Sequence, residues 1–305
     1  MKKKKVVAKN IWIPFLIIFI FIGGGCVFWY QSQHQEKEKK PNTEEKPNIT
    51  TDPVDRKQEE KLKQLDHIEK KIDYFKMDYL DRYLDYLEKN PKLSKEDVVT
   101  RVNIGLDQDY YTNTKETPYL NTTYLLSNKY LSMPQDYVPE GLEDISSDCA
   151  LSGKKMVKEA RLKFEEMCAQ AKSQGFTIRA MSTYRSYSYQ VNLYNNYVAQ
   201  DGKTAADRYS ARPGFSEHQT GLTADVDNRK VSYTSFEETK EFKWMQQNAH
   251  HYGFILRYPE GKEDITGYQY ESWHYRYVGE KIATYIHEHD LTFDEYYVRF
   301  IEDKK

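Results

Sequence analysis

The segment that decides the fold is residues 216–227, which reads SEHQTGLTADVD. After the glycine, apolar and polar residues alternate with a period of two, as in a strand that buries one face. The apolar positions are Leu222, Ala224 and Val226, and the polar positions are Thr223, Asp225 and Asp227. We therefore predict a strand whose Asp225 side chain faces a cleft or solvent.

His218 precedes Asp225 by seven residues, across a turn at Gly221, so the two side chains can meet. Two neutral histidine nitrogens and one carboxylate make a catalytic zinc site that keeps one position open. A histidine and an aspartate near a glycine are also common on protein surfaces. The pair by itself leaves both interpretations open.

A second histidine lies in residues 270–279, YESWHYRYVG. On a strand, His274 and Arg276 share one face, and the aromatic residues between them share the other. Glu271 is three residues before His274, so the chain must bend at Ser272 if both serve one site. A carboxylate beside the reacting water is the general base that metal-assisted hydrolysis needs. The alternative is an aromatic edge strand with scattered charges.

A third element, residues 182–190, reads STYRSYSYQ and connects a predicted strand to a predicted helix. Arg185 in this position can hold a carboxylate through two hydrogen bonds or stabilise an oxyanion. The alternative is a surface arginine near the start of a helix.

Together, the three elements resemble the VanY/LdcB family of D-alanyl-D-alanine (or LD-) carboxypeptidases in order, spacing and local detail. The resemblance runs from about residue 91 to the C-terminus and is closest over 176–279. The family pattern S-x-H-x-x-G-x-A-x-D falls on residues 216–225, E-P-W-H on 271–274 and Y-R-S on 184–186. The chain departs from these patterns at two positions, where Thr223 replaces an alanine and Ser272 replaces a proline.

The resemblance implies a role for each matched residue. The implied Zn²⁺ ligands are His218, Asp225 and His274. Glu271 is implied as the general base that later protonates the leaving amine, and Arg185 as the group that faces the scissile carbonyl or the terminal carboxylate. The implied peptide contacts are Tyr184, Gln190 and Ser216.

The implied function is removal of the C-terminal D-alanine from peptidoglycan stem peptides, with the DD or LD preference left open. One alternative is a catalytically silent wall-binding module that keeps the fold, and the presence of Glu271 argues against it. Another is a wall endopeptidase or amidase with similar site chemistry. The chain has no helical H-E-x-x-H motif and no S-x-x-K motif, which argues against thermolysin-type and serine penicillin-binding mechanisms.

Helical and strand patterns mix from about residue 91 without a regular βαβ alternation, which favours an α+β domain with a small antiparallel sheet and flanking helices. The resemblance implies the zinc DD-peptidase, Hedgehog-like fold over 91–305. Predicted strands are 176–181, 221–226, 253–258 and 272–278. Predicted helices are 152–173, 188–200, 236–250 and two short ones after Gly279, the second opened by a Thr292–Glu295 capping box.

The N-terminal third is organised differently. Residues 1–10 are a basic head, and 11–30 carry no charge over about the length of a membrane-spanning helix. The basic head predicts a cytoplasmic N-terminus and a catalytic domain outside the cell, facing the wall. A lipoprotein with Cys26 as the lipidated residue and a cleaved signal peptide remain alternatives. Residues 31–55 predict a disordered tether, and 56–90 an amphipathic helix.

Composition narrows the range of partners. A net charge of −2 argues against nucleic-acid binding, because proteins that bind nucleic acid usually show a clustered basic excess. The sequence indicates no obligate protein partner. Cys149 and Cys168 can pair or remain free, and their spacing does not decide between the two.

Overall fold

The computed structural model describes residues 53–302, and a four-stranded antiparallel sheet forms its centre. Its strands run in the spatial order β5, β6, β8, β7. They are β5 (Arg179–Ser182), β6 (Thr223–Asp227), β7 (Phe254–Leu256) and β8 (His274–Tyr277). The small antiparallel sheet predicted from the sequence is confirmed.

The alternation in residues 222–227 is confirmed, because the apolar side chains of β6 enter the main core. In this core the sheet packs against α4 (Lys158–Ser173) and α7 (Lys240–Asn248). Core residues from these helices and strands include Phe164, Val226, Trp244, Phe254 and Tyr275. The opposite face of the sheet carries the polar residues of β6 and β8.

Two further pairs of strands lie outside the central sheet. The parallel pair is β1 (Lys115–Glu116) with β2 (Leu131–Ser132), and the antiparallel pair is β3 (Leu142–Asp144) with β4 (Lys155–Val157). The helix predicted from residue 152 therefore begins only at Lys158, because the preceding residues pair with β3.

The remaining helices of the domain surround the sheet. They are α5 (Tyr187–Asp201), α6 (Lys203–Tyr209), α8 (Glu263–Thr266), α9 (Glu280–Glu288) and α10 (Phe293–Phe300). The predicted capping box of α10 is present, with Thr292 and Glu295 bonding reciprocally. The single helix predicted over 236–250 is divided, because Thr239 is extended and caps α7 through the Phe242 N–H.

The prediction of a single helix over 56–90 is wrong. The chain instead forms α1 (Pro53–Gln64) and α2 (Leu80–Lys89), because Asp66 and His67 adopt left-handed backbone angles that end the first helix. The fold-back buries the predicted apolar stripe against α3 (Lys95–Ile104). The domain boundary predicted at residue 91 therefore falls inside a packed cluster.

The predicted N-terminal organisation is only partly covered by the structure. The basic head, the apolar run and the tether up to residue 52 lie outside the described residues, and α1 already begins within the predicted tether. Within residues 53–302, none of the helices combines the length and the apolar character needed to cross a membrane. Cys149 and Cys168 are both buried and free.

Candidate active site

The three predicted metal ligands converge on one point at the polar face of the sheet. Asp225 and His274 are direct register partners on β6 and β8. His218 reaches them from the short 3-10 turn Glu217–Thr220, which Gly221 ends with a φ of 68°. His218 Nε2 lies 3.2 Å from Asp225 Oδ2, and His274 Nδ1 lies 3.1 Å from Asp225 Oδ1. One ligand atom from each residue falls within 4.8 Å of the others.

A hydrogen bond behind the site orients the ring of His218, a candidate ligand. Its Nδ1 lies 2.7 Å from the carbonyl oxygen of Thr183, which only accepts, so Nδ1 carries the hydrogen and Nε2 keeps its lone pair. His218 Nε2 and Asp225 Oδ1 are buried, and neither has a hydrogen-bond partner. Buried nitrogen and oxygen atoms without hydrogen-bond partners in one side-chain cluster are the arrangement expected of a zinc site.

The pKa shifts at this site agree with its geometry. Burial, reinforced by Arg185, lowers the pKa of His218 to about 4, so its imidazole is neutral. Burial opposes charge on His274 as well, but the neighbouring carboxylates of Asp225 and Glu217 outweigh it and raise the pKa of His274 to about 9. The carboxylates around His274 therefore favour a positive charge on its ring.

Glu271 lies beside the ligands because the chain turns before β8. The His274 N–H donates to the Glu271 carbonyl at 3.2 Å, which closes a tight turn over Ser272 and Trp273. The Glu271 carboxylate Oε2 then lies 3.5 Å from His274 Nδ1. The predicted bend at Ser272 is confirmed. Burial raises the pKa of Glu271 to about 7, with His274 opposing and Asp225 adding to the increase.

Arg185 enters the site from the segment between β5 and α5. Its backbone N–H donates to the His218 carbonyl at 3.1 Å, and Ser186 caps α5 by accepting from the Tyr189 N–H. Arg185 Nη2 lies 3.7 Å from Asp225 Oδ2, and Nη1 donates to Gln190 Oε1 at 3.3 Å. Its Nε is buried without a partner. The guanidinium therefore faces the three candidate ligands, and its Nε–H group is free to bind another acceptor.

The three predicted peptide contacts have different positions. Gln190 and Ser216 line the cleft, and the amide nitrogen of Gln190 donates to the Ala211 carbonyl at 2.8 Å. The side-chain oxygen of Gln190 accepts from Arg185, so Gln190 also orients that guanidinium. Tyr184 is not among the residues that line the cleft. Adjacent residues in an extended segment point apart, so Arg185 enters the cleft and Tyr184 does not.

Glu217 was missed by the sequence reasoning. Its side chain has no solvent exposure, and its Oε1 accepts from Arg257 Nε at 2.7 Å and Arg276 Nη1 at 3.0 Å. Burial favours the neutral acid, but these two guanidinium groups hold the pKa of Glu217 well below its usual range. A signal was present, because Arg276 shares a strand face with His274, and a buried arginine needs a carboxylate.

The cleft around these groups has a volume of about 320 Å³ and a largely aromatic wall. Aromatic residues that line it are Tyr189, Tyr197, Tyr209, Tyr233, Tyr258, Tyr268 and Trp273. Tyr233 packs edge-on against Trp273 at 5.0 Å, and Tyr197 packs likewise against Tyr209 at 5.1 Å. The site thus combines a polar floor with side walls suited to a short peptide.

Comparisons with known proteins agree with this arrangement. Residues 153–280 match the family model described as VanY, D-alanyl-D-alanine carboxypeptidase. The chain is 37% identical over 217 residues to YodJ of Bacillus subtilis (strain 168), which covers 67% of this chain and 80% of that protein. It is 33% identical over 248 residues to a D-alanyl-D-alanine carboxypeptidase of Enterococcus faecium, which covers 76% of this chain and 77% of the relative.

Solved structures show the same architecture. The LdcB LD-carboxypeptidase aligns with a TM-score of 0.58 and 38% identity, covering 62% of this chain and 91% of LdcB. VanYB in complex with D-alanine-D-alanine aligns with a TM-score of 0.52 and 30% identity, covering 60% of this chain and 99% of VanYB. A variant of the vancomycin-resistance D,D-pentapeptidase VanY, in complex with Zn(II), aligns with a TM-score of 0.51 and 31% identity. The alignment covers 57% of this chain and 98% of the VanY chain.

Proposed function

This chain belongs to the VanY family of D-alanyl-D-alanine carboxypeptidases, and we propose from that premise that it hydrolyses the C-terminal D-alanine of peptidoglycan stem peptides with the help of zinc. One observation carries the proposal. His218, Asp225 and His274 converge within 4.8 Å, with the Glu271 carboxylate 3.5 Å from His274 Nδ1. A ligand set with a base beside it is what metal-assisted hydrolysis requires.

Zinc is supported by the donors and by a relative. His218 Nε2, Asp225 and His274 Nδ1 supply the two nitrogens and one carboxylate found in catalytic zinc sites. A VanY relative has been solved in complex with Zn(II). When bound, zinc lowers the pKa of water and polarises the scissile carbonyl.

Glu271 is the proposed proton carrier. With its pKa raised to about 7 by burial, the carboxylate exchanges a proton readily near neutral pH. It accepts the proton of the attacking water and later gives it to the amine nitrogen of the departing D-alanine. The turn at Ser272 holds the carboxylate in place for both transfers.

Arg185 is the proposed anion-binding group. Its buried Nε has no partner, and its Nη1 is oriented by Gln190. A guanidinium in this position can bind the terminal carboxylate of the peptide or the negative charge that develops on the scissile carbonyl oxygen. In either case it fixes the peptide end against the ligand group.

Mass spectrometry of stem peptides tests the proposal directly. The purified protein is incubated with defined tetrapeptide and pentapeptide stems, with and without a chelator, and with zinc restored afterwards. We expect loss of one D-alanine that the chelator abolishes and zinc restores, and the preferred stem distinguishes LD from DD specificity. Cleavage within the stem would indicate an endopeptidase. No cleavage of either stem by the zinc-loaded protein would support the silent wall-binding module and contradict our proposal.

We further propose that residues 11–30 anchor the chain in the cell membrane and that the catalytic domain lies outside, facing the wall. The support is the uncharged run behind a basic head, together with a substrate class found in the wall. Protease added to intact protoplasts should digest the domain of the cell-associated protein. Protection of that domain until the cells are lysed would contradict the proposed orientation.

A further inference from the structure

Glu217 connects the candidate zinc site to the interior of the protein. Its Oε1 accepts from two arginines, while its Oε2 lies 3.4 Å from His274 Nε2. His274 thus has its Nδ1 turned toward Asp225 and Glu271 and its Nε2 turned toward Glu217. The two ring nitrogens face two different sets of carboxylates.

The surroundings of Glu217 form a charge-balanced cluster without solvent exposure. Arg257 Nη1 donates to Asp294 Oδ2 at 2.6 Å, and Asn128 donates to the other oxygen of Asp294 at 2.8 Å. Arg276 Nη2 donates to the carbonyl of Leu125 at 2.6 Å. Two guanidinium groups and two carboxylates cancel in charge, which is the condition under which buried ions are tolerated. Asp294 lies in the first turn of α10, so the cluster reaches the C-terminal helix.

The bonding of Glu217 determines which hydrogen His274 carries. Because two guanidinium groups donate to it, Glu217 is an ionised carboxylate and can only accept hydrogen bonds. When Nδ1 serves as a metal ligand through its lone pair, the ring hydrogen of His274 is therefore on Nε2, where Glu217 accepts it. The Thr183 carbonyl likewise accepts the ring hydrogen of His218, but at Nδ1, so the lone pair of His218 is on Nε2.

We propose that Glu217 is a positioning residue that fixes His274 as the Nε2–H tautomer, so that Nδ1 is presented to the metal. A charged acceptor also makes the opposite ring nitrogen a stronger electron donor, as outer carboxylates do at other zinc sites. The Arg257–Asp294 pair holds Glu217 against α10, so the start of the C-terminal helix is part of the support of the site.

The inference rests on the proposed zinc dependence, and two variants test it. Glu217→Gln keeps the shape and removes the charge. Glu217→Asp keeps the charge balance of the cluster but withdraws the carboxylate from His274 by one methylene. The zinc dissociation constant is measured for the full chain by competition with a chromogenic chelator, alongside thermal unfolding. Outer-ligand substitutions typically weaken metal affinity ~10–100-fold, and we expect a loss of that order in both variants.

The matched control is Asp107→Asn. Arg82 on α2 binds Asp107, just after α3, through two hydrogen bonds of 2.7 Å, and neither residue lines the cleft. This variant should lose stability and keep wild-type zinc affinity. Wild-type zinc affinity in folded Glu217→Asp would overturn the inference. If Glu217→Gln does not fold, the zinc affinity of Glu217→Asp alone tests the inference. Absence of zinc binding by the wild-type protein would overturn the proposed function and the inference with it.

Discussion

The Glu271 carboxylate lies 3.5 Å from His274 Nδ1 although the two residues are only three positions apart at the start of a strand. A regular strand would place them on opposite faces. The turn closed by the His274 N–H and the Glu271 carbonyl instead brings the two side chains to the same side. A local turn therefore brings the proposed base to the side of the proposed ligand.

Replacement of Glu271 by glutamine should abolish most of the turnover and leave zinc bound. The amide keeps the shape of the side chain but cannot accept a proton, and removal of a general base typically costs ~10²–10⁴-fold in rate. The turnover number with stem peptides and the zinc content are the measurements. Glu260→Gln, at an exposed position, is the control and should keep wild-type turnover. Full activity in Glu271→Gln would assign the base elsewhere.

Replacement of His218 by alanine should remove both metal and activity. The substitution deletes one of the two nitrogen donors and leaves Asp225 without its neighbour at 3.2 Å. Zinc content after dialysis and peptide cleavage at added zinc are the measurements. His251→Ala, at an exposed position, should retain both properties. Normal zinc content in dialysed His218→Ala would exclude this residue from the ligand set.

Proline at position 272 should be tolerated and should stabilise the protein. Ser272 is the second residue of the turn that begins at Glu271, where proline is favoured because its φ is preset. A compatible proline typically adds ~0.4–1 kcal/mol by restricting the unfolded chain. Chemical denaturation and stem-peptide turnover of Ser272→Pro are the measurements. A loss of stability would show that the backbone at Ser272 is incompatible with proline.

Two glycines with the same left-handed backbone angle should differ in their tolerance of alanine. Gly221 and Gly141 both have a φ of 68°, but an added Cβ at Gly221 would lie 2.9 Å from a Leu142 methyl group, whereas at Gly141 it meets nothing within 4 Å. We expect Gly141→Ala to cost about 1 kcal/mol from the backbone alone. Gly221→Ala should cost a further ~1–3 kcal/mol from overpacking. Equal free energies of unfolding for the two variants would contradict this.

Lys129 should make stability depend on pH. Its side chain is buried, with Nζ 3.5 Å from the Tyr268 ring centroid, and burial lowers its pKa to about 7, with Asp207 partly opposing. Between pH 7 and about 10 the unfolded chain therefore binds more protons at this lysine, so the free energy of unfolding rises with pH. The contribution is at most ~1.4 kcal/mol per pH unit.

The test is Lys129→Met, unfolded with urea at several pH values between 7.5 and 9.5. The variant should lose the upward slope that Lys129 contributes. Lys240→Met, which removes an exposed lysine, should keep the wild-type slope. Identical slopes for Lys129→Met and the wild type would exclude a neutral lysine in this core.

Local patterns in the sequence were sufficient for several features. Alternation in residues 222–227 predicted the buried and polar faces of β6, and Thr292 with Glu295 predicted the start of α10. The spacing of Glu271 and His274 predicted the bend at Ser272. Each of these depends on residues within one turn or one strand, where short-range sterics and hydrogen bonding decide the conformation.

Only the tertiary structure decided the features that depend on distant residues. The segment 56–90 has the spacing of one amphipathic helix, yet the chain folds back at Asp66 and His67, and its apolar residues pack with those of α3. The burial of Glu217 likewise depends on residues that are distant in the sequence. Its charge is buried because Arg257, which follows β7, and Arg276 on β8 donate to it, and these partners lie 40 and 59 residues away in the sequence.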